Sequence, residues 1–118
     1  MKLNIMTEGP SQAQKDYNHQ LLDKVIHARI RFAALAYLLS VGEASFVELR
    51  DSINATDGNL SIHLRKLEAA GYIECIKQFQ CRKPLTNYRV TELGREAFVR
   101  HRQHIDMFYT DMLGYQAV

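Results

Sequence analysis

Four small groups of side chains in this sequence could do chemistry. Arg65 and Lys66 lie where Leu60, Leu64 and Leu67 recur at i, i+4 and i+7, the repeat of one helix face. On a wheel with Leu60 at zero, Gly58, Ile62, Arg65, Lys66 and Ala69 fall opposite that face, and Asn59 and Ser61 flank it. Guanidinium, amide and hydroxyl groups on the outward side of a helix can bond nucleobase edges, and an isoleucine can cover a thymine methyl. Arg82 and Lys83, adjacent cations before Pro84, suit phosphate oxygens or a minor groove. His101 and His104 form an H-x-x-H pair, a spacing that can share a metal ion. Cys75 and Cys81 are six positions apart, which matches neither C-x-x-C nor half of a zinc motif, so they read as free thiols.

Charge supports the first two groups. The net charge of the 118 residues is only +2, but the Leu60–Val90 window holds Arg65, Lys66, Lys77, Arg82, Lys83 and Arg89 against Glu68 and Glu74. That window therefore carries +4 and the remainder −2, the asymmetry a phosphate-binding face requires. With 47% hydrophobic residues the chain can bury one modest core. Its longest apolar stretch, Phe32 to Leu39, is too short to span a bilayer, and residues 1–14 lack the apolar run of a signal peptide. The expected location is cytoplasmic, with no membrane partner. Neither a Gly-rich phosphate loop nor a nucleophile motif is present, so neither an enzyme nor a cofactor is expected.

The elements that must position these groups follow from periodicity. Residues 1–16 read as a flexible arm. Leu21, Leu22, Val25 and Ile26 predict a helix from Tyr17, and a more apolar helix follows from about Ile30 to Val41, stopped by Gly42. Ser45 and Glu48 fit a capping box opening a short helix through Leu49 and Ile53. Asn54 to Gly58 form a turn, and the Leu60 helix, about 57–70, ends at Gly71. Tyr72–Lys77 and Thr86–Val90 read as paired strands around a tip at Gln78–Pro84. The fold class is mainly α with a small β-hairpin: a winged helix-turn-helix over 17–90, with extra N- and C-terminal helices. From Thr91 as N-cap, the segment 91–118 places Phe98, His101, Ile105, Phe108 and Met112 at spacings of 3, 4, 3 and 4. That seam, with Leu21 and Leu22, is the expected homodimer interface.

In this frame Asn59, Ser61, Ile62 and Arg65 are the candidate base contacts. Thr56 and Lys66 are candidate phosphate contacts, and Arg82 and Lys83 are the wing contacts. The expected function is a sequence-specific, double-stranded DNA-binding transcriptional regulator acting as a homodimer. A winged-helix protein–protein interaction module is the rival, which would not need Arg65-Lys66 and a basic tip. RNA binding lacks the exposed aromatics that would stack bases.

The run Asp57-Gly58-Asn59-Leu60-Ser61-Ile62-His63-Leu64-Arg65-Lys66-Leu67-Glu68-Ala69-Ala70-Gly71-Tyr72-Ile73 resembles the ArsR/MarR-like regulators, most of all the compact winged-helix group with an added C-terminal helix. The similarity extends to Leu22–Arg31 and Tyr88–Gly94, roughly residues 20 to 98. It implies a dimer whose recognition helices enter successive major grooves of a near-palindromic site. Ile62 stands where relatives often place a polar residue, and Arg29 replaces a proline that often starts the next helix. Some ArsR-type relatives sense metals on the C-terminal helix, but the D-x-H pair expected near its start is replaced by Tyr88–Val90. A metal-responsive sensor is therefore a minor alternative, and no metal ligand is assigned. Any unidentified small-molecule effector would belong between the dimer helices and the first helix of the motif.

Overall fold

The computed structural model describes residues 17–113, so the arm at 1–16 and the tail at 114–118 lie outside the described residues. Four α-helices follow a short 3-10 helix at His19–Leu21: α1 (Arg29–Val41), α2 (Phe46–Ser52), α3 (Asp57–Ala69) and α4 (Glu92–Leu113). Three strands, β1 (Ala44–Ser45), β2 (Ile73–Gln80) and β3 (Lys83–Val90), form an antiparallel sheet in the order β1-β3-β2. This is a winged helix. Ile26, Leu35, Leu38, Leu49, Leu60 and Leu67 are fully buried at its centre. They come from a turn, from α1, from α2 and from one face of α3, so the core sits under the helix-turn-helix.

Local signals set most boundaries. Gly42 ends α1 at φ 91°, donating to the Leu38 carbonyl at 2.8 Å. Ser45 and Glu48 form the reciprocal capping box at the start of α2. Gly71, at φ 79°, turns the chain from α3 into β2.

The N-terminal helix expected from Tyr17 is corrected. Only His19–Leu21 is helical, as 3-10, and Lys24–Ala28 is turn and bend. The cause is Asp23. Its Oδ1 accepts the N–H groups of Val25 at 2.9 Å and Ile26 at 3.1 Å, which captures donors that would otherwise propagate a helix. Burial pushes the Asp23 carboxyl up, but the hydrogen bonds from Tyr72, Ile26 and Val25 and the nearby His101 outweigh this and hold it below 3.8. Tyr72 OH donates to Asp23 Oδ2 at 2.6 Å, and burial together with Asp23 pushes its phenol up to about 12.

The hairpin tip is also tighter than the seven residues expected. The ladder runs to Gln80↔Lys83, leaving only Cys81 and Arg82 as the turn, at φ 52° and 65°. Two successive left-handed residues make the turn that matches strand twist. Lys83 and Pro84 are thus strand residues beside the tip rather than members of it.

Candidate nucleic-acid interface

The geometry of the basic face starts with α3. Leu60, Leu64 and Leu67 are buried, and the opposite side is open: Asn59, Arg65, Lys66 and Ala69 are exposed, as is Ile62 at 48%. Thr56 caps the helix, its Oγ1 accepting the Asn59 N–H at 3.2 Å. Its oxygen thus accepts within the cap, while its O–H can still donate at the exposed N-terminus. Ser61 is half-buried and accepts from Arg65 Nη1 at 3.3 Å, which orients the guanidinium along the helix. The structure thus brings Asn59, Ile62, Arg65 and Lys66 onto one exposed surface, with Thr56 at its leading end and Ser61 at its flank.

Two arginines that local spacing did not single out support this helix. Arg50 on α2 reaches across the turn to Asp57 at 2.8 Å and also pairs with Asp51 at 2.9 Å. It neutralises the one carboxylate in the first turn of α3 while tying the two helices together. The partners sit on two different helices either side of a turn, so the repeat of neither helix reports the pairing. Arg31 on α1 donates to the Val25 carbonyl and to His63 Nδ1, the latter at 2.9 Å. Burial and then the Arg31 charge push the His63 pKa down, so the ring is held neutral as an acceptor.

The hairpin supplies the second part. Lys77 and every following β2 residue are exposed, as are Cys81, Arg82, Lys83 and Pro84. Arg89 pairs with Glu74 at 2.7 Å near the base of the hairpin. Among the described residues no ion pair engages Arg65, Lys66, Arg82 or Lys83.

The remaining expected residues lie along α4. Its first half packs on its own chain: Gly94, Ala97 and His101 are buried, and Phe98 stacks on Phe32 with ring centroids 5.2 Å apart. Ile105 and Phe108 are half-buried and Met112 is exposed, and Tyr17 meets Phe108 edge-on at 6.0 Å. Leu21 and Leu22 are half-buried, and Leu22 lines a pocket with Ile105, Phe108 and Met112. His101, expected in the interface seam, is 3% exposed and hydrogen-bonds within its own chain. The Asp23 backbone N–H donates to His101 Nδ1 at 3.2 Å. That bond places the ring proton on Nε2, facing His27 Nδ1 at 3.4 Å. His101 is thus hydrogen-bonded to His27 rather than paired with His104. His104 Nδ1 is buried without a hydrogen-bond partner among the described residues, where no group of three His, Cys, Asp or Glu is disposed to hold a metal. Cys75 and Cys81 are free thiols.

A groove of about 470 Å³ opens between the residue 26–29 turn, Phe32 on α1 and the Phe98, His101, Arg102 and Ile105 side of α4. No helix among the described residues is long and apolar enough to cross a membrane.

Comparison with known proteins gives concordant findings. A family model for winged helix DNA-binding domains matches residues 30–108. The chain is similar to an uncharacterised protein of Methanocaldococcus jannaschii, 36% identical over 75 residues, which are 64% of this chain and 82% of that protein. Among solved structures it is similar to a transcriptional regulator homologue from Pyrococcus horikoshii, with a TM-score of 0.70 and 25% identity, covering 75% of this chain and 87% of that one. It shares its fold with the regulator NadR, whose structure holds 4-hydroxyphenylacetate, at a TM-score of 0.62 and 17% identity over 79% of this chain and 65% of that one.

Proposed function

We propose, from the premise that this chain belongs to the winged helix DNA-binding domain family, that it regulates transcription by binding double-stranded DNA sequence-specifically as a homodimer. The observation that carries the reading is the outward face of α3, where Asn59, Ile62, Arg65 and Lys66 stand clear of the core while three leucines anchor the helix from behind. An α-helix of this kind fits a major groove with its N-terminal half against base edges. Asn59, Ser61, Ile62 and Arg65 then read bases. Thr56 and Lys66 hold phosphates, and Arg82 and Lys83 reach the backbone or the neighbouring minor groove.

The homodimer reading is supported by the far half of α4. Met107, Tyr109, Met112 and Leu113 are all exposed apolar side chains within two turns, beside half-buried Ile105 and Phe108. Pairing this stretch with a second copy would remove it from water. Arg29 and Arg102 at the apolar groove suit a small effector with an acidic group, and the volume is within the usual range for such sites.

The test is a titration into a fluorescent duplex from the gene's own upstream region and an unrelated duplex, with sedimentation of the complex. Preferential binding of a dimer to the first duplex is expected, and Met112→Glu should give a monomer that binds far more weakly. Equal binding to both duplexes would overturn the sequence-specific reading. Absence of binding at low salt would move the function to protein–protein interaction.

A further inference from the structure

The hairpin carries a feature that phosphate contact does not need. Phe79 is 79% exposed, the most exposed of the large hydrophobic side chains among the described residues. Its ladder partner is Pro84, itself exposed. In a hairpin closed by a two-residue turn, the pair flanking the turn exchanges hydrogen bonds and the next pair does not. Gln80↔Lys83 is the flanking pair and Phe79↔Pro84 the next, which places Phe79 and Pro84 opposite each other on one sheet face. It also turns the proline nitrogen, which has no proton to give, toward the outer edge of β3, where β1 has already ended at Asn87.

Position and charge specify what this apolar pair could meet. Side chains at Ile73, Cys75, Lys77 and Phe79 share a sheet face, as do their partners Val90, Tyr88, Thr86 and Pro84. That face is buried on the helices at Ile73 and overhangs them at Phe79. The five-residue reach from Cys75 to Gln80 is about 17 Å, close to half a helical turn of DNA, the separation of adjacent major and minor grooves. From Cys75 to Thr91 the sequence holds Lys77, Arg82, Lys83 and Arg89 and no acidic residue. The ring pair is flanked by Lys77 on one side and Arg82 and Lys83 on the other.

We propose that Phe79, backed by Pro84, is an apolar wedge that enters the minor groove and opens a base step, with Lys77, Arg82 and Lys83 holding the flanking phosphates. This rests on the DNA-binding reading and adds to it a deformation of the duplex. Phenylalanine and proline are among the side chains that unstack base steps, and such insertions bend DNA toward the major groove. The occupied groove would then select deformable pyrimidine–purine steps without hydrogen bonds to their bases.

The experiment uses the full chain and the upstream duplex, end-labelled with a donor and an acceptor dye. The chain has no tryptophan, so the indole introduced by Phe79→Trp is a unique probe. Its emission should be quenched when the duplex is added. Phe79→Thr keeps a strand-forming residue, and should keep the wild-type salt dependence. It should lose the bend and roughly tenfold in affinity, the cost of forgoing part of the apolar burial that the phenyl supplies. Unchanged indole emission at saturating duplex, or a Phe79→Thr complex as bent and as tight as wild type, would overturn the wedge while leaving DNA binding intact. Failure of the wild-type chain to bind the duplex would overturn both.

Discussion

Replacing Lys66 by alanine tests how the outward face of α3 divides its labour. Lys66 is exposed and joins no ion pair among the described residues, and the same holds for Arg82 and Lys83 on the hairpin. Arg50 and Arg89, by contrast, are committed to carboxylates. With Lys77 of the proposed wedge, Lys66, Arg82 and Lys83 make four phosphate-binding cations per protomer and eight in a dimer complex, so log K should fall against log salt with a slope of about −7. Between roughly 50 and 200 mM salt this is a loss on the order of 10⁴-fold. Lys66→Ala removes two of the eight contacts, flattening the slope to about −5.4 and the loss to roughly 2 × 10³-fold. Because a phosphate contact carries no sequence information, the ratio of specific to non-specific affinity should stay nearly constant. Arg65→Ala should do the opposite, cutting that ratio by about 1–3 kcal/mol with little change in slope. Fluorescence anisotropy with both duplexes over a salt series reads both quantities. A Lys66→Ala slope equal to wild type, or an Arg65→Ala ratio equal to wild type, would refute the division of roles.

Three further outcomes concern the scaffold. Burial, then the nearby His27 and His104, push His101 below its ordinary 6.5 against the opposing pull of Asp23. Neutral His101 therefore adds stability that is complete above 6.5 and is lost as pH falls through its folded value. Urea unfolding between about pH 7.5 and pH 5 should show this loss, and His101→Gln should reduce it, the His63 contribution remaining. Gly94→Ala would place a Cβ 2.2 Å from the Tyr72 carbonyl oxygen and 2.9 Å from Val90 Cγ1. The helix-propensity gain of about 1 kcal/mol does not offset that overlap, so thermal melting should report a net loss of about 2 kcal/mol. Thr56→Ala removes the cap of α3 and should cost about 1 kcal/mol by the same assay, with Thr56→Ser close to wild type.

The parts of the fold that were legible in the sequence are those set by neighbours in the chain. The capping box at Ser45, the stops at Gly42 and Gly71, and the leucine face of α3 each need only a few consecutive residues to be read. The segment before α1 was not legible, because what prevents a helix there is partly remote. Asp23 bonds its own turn, but it is held in place by Tyr72, 49 positions away, and by His101, 78 positions away. The bond from Asp23 to His101 and the stacking of Phe98 on Phe32 together commit the first half of the α4 seam to its own domain. On the basic face, side-chain direction followed from the helix wheel. The Arg50–Asp57 tie and the two-residue tip at Cys81-Arg82 did not, since one crosses a turn and the other places non-glycine residues at positive φ. Phe79 could have been reached by extending the strand alternation two residues past Lys77.

Gly94 also sets the mechanics of the molecule. With no side chain there, α4 lies directly on the Tyr72 backbone, one residue after the Gly71 that closes α3. The contact acts as a fulcrum near one end of a 22-residue rod, about 33 Å long. A tilt of about 5° about Gly94 would carry the far end about 2.5 Å, and in the proposed homodimer that displacement would become a change in the spacing between the two recognition helices. A groove occupant wedged between Phe32 and α4 would press on this lever close to its pivot, where a small push produces the largest swing.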